Sequence, residues 1–136
     1  MTALRKIAFG YAVVLFAAAS LNYLPIPGII DDQGRAFGVF ALDLFDDSLH
    51  VASGLWALIA GLISYRASKI FLTWFGAAYL LDGAMGLATG SGYLDFGIFV
   101  YGFYEYPSFL IKLAANMPHI SLGGFAVIAA RFLDTK

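Results

Sequence analysis

Four apolar stretches, each long enough to cross a bilayer as a helix, constrain this chain more than any other feature. They run from Ile7 to Leu24, from Leu49 to Tyr65, from Ile70 to about Gly90 and from Met117 to Leu133. A bilayer core of about 30 Å takes about 20 residues of helix to cross. Only 12% of the residues are charged against 61% hydrophobic, where a soluble domain carries about 25% charged. The expectation is an all-α integral membrane protein, one domain over residues 1–136 with four transmembrane helices. Pro25 and Pro27 end the first stretch, since a helix interior tolerates proline poorly. Its basic lead, Arg5 and Lys6, resembles a secretory signal, but the run has a counterpart later in the chain and reads as the first span.

Charge orients the spans. Arg5, Lys6, Arg66, Lys69, Arg131 and Lys136 fall on one side, with Asp134 the one acid among them. The loops on the other side, Ile26 to Asp47 and Ser91 to Ala115, hold Asp31, Asp32, Asp43, Asp46, Asp47, Asp95 and Glu105 against Arg35 and Lys112. The positive-inside bias then puts both termini and the short turn Arg66–Lys69 in the cytoplasm. The chain also reads as two tandem two-helix repeats, about 1–66 and 67–136. Each has a helix, an outer loop with Phe-Gly-(Val/Ile)-Phe at 37–40 or 96–99, and a helix led by histidine. Two spans per repeat relate the halves by an axis along the membrane normal.

The histidines, His50 and His119, are the candidate functional pair, each followed four residues later by glycine, Gly54 and Gly123. Asp47 and Asn116 stand three residues before them and read as N-caps, with Pro118 in a first turn. Each imidazole would then sit at the positive end of a helix dipole, which favours the neutral ring. Below each, a stripe of small residues shares its face: Gly54, Ala57 and Gly61, or Gly123, Ala126 and Ala130. Such stripes let helices pack closely, or they leave room for a flat macrocycle between two axial histidines. Haem or another tetrapyrrole is therefore a cofactor candidate beside simple packing.

Asp82 is the one acid inside a span, about 18 Å along its helix at about 1.5 Å per residue. A carboxylate there pairs with something: it could meet His50 or His119, or cap a helix end that Gly83, Gly86 and Gly90 weaken, and a structural hydrogen bond fits better than a proton relay. A relay needs further polar stops, and the spans offer Ser53, Ser64 and Thr73. Asp43, Asp46, Asp47, Asp95 and Glu105 could join the histidines around a divalent metal ion, although the spacing matches no compact ligand motif. The aromatic second loop, Tyr93 to Phe109, reads as an interfacial belt or as a docking surface. There is no cysteine, no nucleophile–base pair, no phosphate-binding loop and no basic stripe, so enzymatic and nucleic-acid roles find no support.

Leu49-His50-Val51-Ala52-Ser53-Gly54, Asn116-Met117-Pro118-His119-Ile120-Ser121-Leu122-Gly123, the preceding Phe-Gly pairs and Tyr79 to Leu87 together resemble the small bacterial four-helix membrane proteins grouped as domain of unknown function 4383. The resemblance implies the four-helix fold and brings no activity. The sequence departs from it with Asp47 at the first Asn position and a longer, more aromatic second loop. The resulting expectation is a non-enzymatic accessory subunit, partnered by lipid and by another membrane subunit or itself. A bis-histidine tetrapyrrole or metal protein is the alternative, and a small transporter through Asp82 is a third.

Overall fold

The computed structural model describes residues 1–23, 27–32, 35–37, 39–41 and 43–133. Leu24, Pro25, Ile26, Gly38, Asp134 and Lys136, used above, lie outside them. Four long helices carry the fold: α1 (Ala3–Ser20), α2 (Leu44–Ile63), α3 (Tyr65–Thr89) and α5 (Phe109–Phe132). Between α1 and α2 a two-residue hairpin forms, β1 (Arg35–Ala36) against β2 (Phe40–Ala41), antiparallel with Ala36 opposite Phe40. Between α3 and α5 lies one short helical turn, α4 (Gly97–Val100). Both Phe-Gly motifs open with phenylalanine in the left-handed region, Phe37 at φ 55° and Phe96 at φ 61°, a conformation uncommon outside glycine.

Side-chain contacts fix the helix directions. Arg5 and Tyr23 of the first segment meet Gly61 and Asp47 of α2, Ser53 of α2 meets Tyr79 of α3, and Gly76 and Gly83 of α3 meet Gly123 and Ile120 of α5. The bundle therefore runs up and down. Among the described residues both connecting segments and the acids sit at one end, with the N-terminus, Ser64 and Arg131 at the other. α1 packs chiefly on α2 and α3 chiefly on α5. Three helices, α1, α3 and α5, are long and apolar enough to cross a membrane. α2 opens with Asp46, Asp47 and His50 and is not among those three. Outward faces are apolar, with Val13, Ile63, Trp74 and Leu81 all exposed, as a lipid-facing surface requires.

Three boundaries differ from expectation. α2 begins at Leu44, capped by Asp43, whose Oδ1 accepts the Asp46 N–H at 2.9 Å. α5 begins at Phe109, capped by Ser108, whose Oγ accepts the Ile111 N–H at 3.2 Å. Asp47 and Asn116 are thus helical residues and not caps, and Pro118 lies inside α5. The expected turn Arg66–Lys69 belongs to the start of α3. The reversal is a single extended residue, Ser64, which ends α2 through its N–H to Ala60 and caps α3 by accepting the Ala67 N–H on Oγ at 3.1 Å. Arg5 closes the end of α2, donating Nε to Gly61 O at 2.7 Å and Nη2 to Leu62 O at 3.1 Å. A cation suits those carbonyls at a helix C-terminus.

The core is an aromatic column on one face of α3. Phe71, Phe75 and Tyr79 recur at helical spacing, with ring centroids 4.9 Å and then 4.0 Å apart. Tyr11 meets Phe75 edge-on at 5.3 Å and donates its hydroxyl to Leu122 O of α5. The column stops at His119, whose ring lies 4.8 Å from Tyr79, so the core itself seats that histidine.

Candidate functional site

Beneath the two loops, Asp82 is the hub. It is 4% exposed, and both its carboxylate oxygens are used. Oδ1 accepts the backbone N–H groups of Tyr93 at 2.8 Å and Leu94 at 2.9 Å; Oδ2 accepts from Nδ1 of His119. One buried side chain of α3 thereby ties down the second loop and α5. Gly92 allows this approach, because a Cβ there would stand 2.7 Å from the Asp82 carboxyl carbon. The loop is also held by the Tyr104 N–H on Thr89 O at 3.0 Å, beside Gly90 at φ 86°. The Tyr93 hydroxyl returns to Ala78 O at 2.9 Å.

The histidines face each other across the bundle, ring centroids 6.1 Å apart and planes at 87°. Neither leads its helix. His50 is the seventh residue of α2 and His119 the eleventh of α5, so the proposed dipole effect of a first turn does not reach them. His50 is 7% exposed and its Nδ1 has no hydrogen-bond partner among the described residues. Asp47 accepts the Tyr23 hydroxyl at 3.0 Å, which pushes the Tyr23 phenol pKa up. Asn116 donates Nδ2 to Lys112 O at 2.8 Å and packs over Gly86. The expected set therefore divides: Asp82, His119 and His50 come together, whereas Asp47 turns to Tyr23 of the first segment and Asn116 to its own helix.

The glycines below the histidines are filled. A Cβ at Gly54 would lie 2.8 Å from the Phe16 ring, and one at Gly123 would lie 2.7 Å from Gly76 O. Of the two roles expected for the small-residue stripes, these contacts fulfil close packing and leave no slot for a macrocycle at those positions. The acids do not assemble around the histidines as a metal site either: among the described residues no group of three or more His, Asp or Glu could hold a metal ion. Asp43 caps α2 and accepts the Tyr101 hydroxyl at 3.0 Å, which pushes the Tyr101 phenol up. Asp95 accepts the Gly97 N–H at 2.9 Å, and Glu105 is exposed.

Sequence reasoning missed the Ser53–Tyr79 hydrogen bond, 3.1 Å and buried. The register held the signal, because Ser53 stands one turn below His50 and Tyr79 one turn below Asp82. Below this pair α3 presents Phe75 and Phe71, 1% and 0% exposed; Ser64 is a cap and Thr73 is exposed. The buried hydroxyls beneath that pair, those of Tyr11 and Ser68, are bonded to backbone carbonyls, Leu122 O for the first and Ala60 O and Ser64 O for the second. Comparison of the chain with protein-family models, with curated proteins and with solved structures returns no match.

Proposed function

We propose that this chain is a non-enzymatic four-span protein of a bacterial cytoplasmic membrane, of the same kind as domain of unknown function 4383, acting as an accessory subunit of a membrane assembly or homo-oligomer. Two tandem helix–loop–helix repeats build it, with both termini cytoplasmic. The basic end of the bundle supports this orientation, and the matching left-handed Phe37 and Phe96 support the repeat. α2 is the fourth span, its acidic first turn lying at the outer headgroup level.

The observation that carries the accessory role is the second loop. Phe99 is 79% and Phe103 82% exposed, on a segment tied to α3 through Asp82 and Thr89. Interfacial belts use tryptophan and tyrosine, whose polar edges meet water. Phenylalanine has no polar edge, and a tethered pair of exposed rings suits burial against protein. The size of the assembly extracted from native membranes in a mild detergent tests the reading. Wild-type protein is expected well above one protomer, and Phe99→Ser with Phe103→Ser reduces it to the single chain without changing helicity. A wild-type protein that is monomeric there overturns the reading.

One observation favours a second reading, a bis-histidine tetrapyrrole protein. The facing imidazoles have a carboxylate on Nδ1 of His119, the outer-shell arrangement that orients a ligating histidine. The closed glycines weigh against it. The transporter reading loses support from the apolar column beneath Tyr79.

A further inference from the structure

A cavity of about 400 Å³ lies at the loop end of the bundle, and about 300–1,000 Å³ is the usual range for small-molecule sites. Its lining is mainly apolar, with the rings of Phe37, Phe40, Tyr101 and Tyr106 along it. Arg35 shares that lining with Asp43, Asp46 and Asp95, so cation and acids offset each other. Arg35 already donates to the Tyr104 hydroxyl, Asp43 accepts the Tyr101 hydroxyl and Asp95 accepts the Gly97 N–H. The cavity therefore suits a neutral, ring-bearing occupant.

His50 and His119 also line it, and they supply its open polar groups. Oδ1 of Asp82 takes two amide protons and Oδ2 takes the Nδ1 proton of His119, so a neutral His119 carries its lone pair on Nε2. His50 takes the opposite tautomer. Its Nδ1 is buried without a partner, and an orphaned buried N–H is rarer than an orphaned acceptor, so the ring proton sits on Nε2. Neither Nε2 has a partner among the described residues and neither is buried, in contrast to Nδ1 of His50. Both therefore open to the cavity, and the His119 side chain keeps 20% of its surface exposed.

One acceptor and one donor thus stand side by side, on rings whose centroids are 6.1 Å apart. A hydroxyl satisfies both at once, because it donates one hydrogen bond and accepts two. A phenol does so best here: its O–H is a stronger donor than that of an aliphatic alcohol, and its flat face packs against aromatic side chains. We propose that the cavity binds a neutral phenol, whose hydroxyl donates to Nε2 of His119 and accepts from Nε2–H of His50. The site uses neither Phe99 nor Phe103, so it stands or falls apart from the accessory role.

Nitrogen NMR of the imidazole-labelled full chain in a neutral maltoside detergent tests this, with p-cresol, its methyl ether 4-methylanisole and cyclohexanol as probes. The free protein is expected to show His119 protonated on Nδ1 and His50 on Nε2. p-Cresol should bind one per chain, at least tenfold tighter than the other two, and shift the Nε2 resonances of both rings. His50→Phe, which keeps a ring and breaks no hydrogen bond of the fold, should bring p-cresol down to the affinity of the ether. The same tautomer in both rings, or an imidazolium at His119, would overturn the proposal. So would an ether or cyclohexanol that binds as tightly as p-cresol, or an unchanged preference in folded His50→Phe. Mass spectrometry of a solvent extract of protein from native membranes distinguishes the sources. A retained phenol-headed lipid identifies a membrane ligand, and p-cresol binding by protein that retains none identifies a diffusible phenol. Protein that retains no phenol and binds no p-cresol overturns the site.

Discussion

Asp82 of α3 and His119 of α5 are hydrogen-bonded through Oδ2 and Nδ1, and the same carboxylate holds the Tyr93 and Leu94 amides on its other oxygen. An acid within a span is costly unless its bonds are all made. Here they are made to a helix and a loop at once, so the cost of burial is offset by the tertiary arrangement it specifies. Asp82→Ala is expected to destabilise the bundle by about 3 kcal/mol, as for a buried partner left alone. His119→Ala should cost less, and the two together less than their sum. Denaturant titration of the four species in detergent reads this directly. Proton flux into proteoliposomes should be the same for Asp82→Asn and wild type.

The α3–α5 contact is backbone against backbone. A Cβ at Gly123 would press on Gly76 O at 2.7 Å, whereas one at Gly124 would meet nothing within 4 Å. Gly123→Ala is therefore expected to lose about 2 kcal/mol through overpacking. Gly124→Ala should be neutral or gain up to about 1 kcal/mol from helix propensity. Thermal unfolding of the two variants side by side separates them; equal shifts would mean that the helices do not meet at Gly123.

Ser53 and Tyr79 place a hydrogen bond between α2 and α3, above an apolar core. Tyr79→Phe and Ser53→Ala should each cost about 1 kcal/mol, because each leaves a buried hydroxyl or its site unpaired. The double variant should cost little more than either alone, and strict additivity would show that the pair is not coupled.

The two histidines give a spectroscopic prediction. On the packing account, protein purified with its native lipids shows no Soret band, and His50→Ala with His119→Ala leaves its visible spectrum unchanged. A Soret band lost in either single variant would establish the tetrapyrrole reading instead.

Much of this was legible in the sequence. Apolar blocks of bilayer length locate the long helices, and the period of small residues after each histidine identifies the buried faces of α2 and α5, where Gly54, Ala57, Gly123 and Ala126 are all buried. Helix starts were less legible. Asp46, Asp47 and Lys112 lower local hydropathy, so the first turns of α2 and α5 resemble loop, and the true caps Asp43 and Ser108 lie upstream of the apolar run. Ser64 was hidden because one residue reverses the chain where four basic-turn residues were expected. At the site, the sequence offered Asp82 either a histidine or a glycine-weakened helix end, and could not choose between His50 and His119. That choice depends on α3 packing chiefly on α5, a tertiary fact. The amides of Tyr93 and Leu94 carry no side-chain signal at all.

Amide hydrogen exchange at Tyr93 and Leu94 tests the central claim most directly, since the account makes Asp82 the anchor that holds the second loop and its exposed phenylalanines in place. Both amides are expected to exchange slowly in the wild type and at least tenfold faster in Asp82→Ala, with the lower half of α3 unchanged. Rapid exchange of both amides in the wild type, or slow exchange that survives the loss of Asp82, would contradict it.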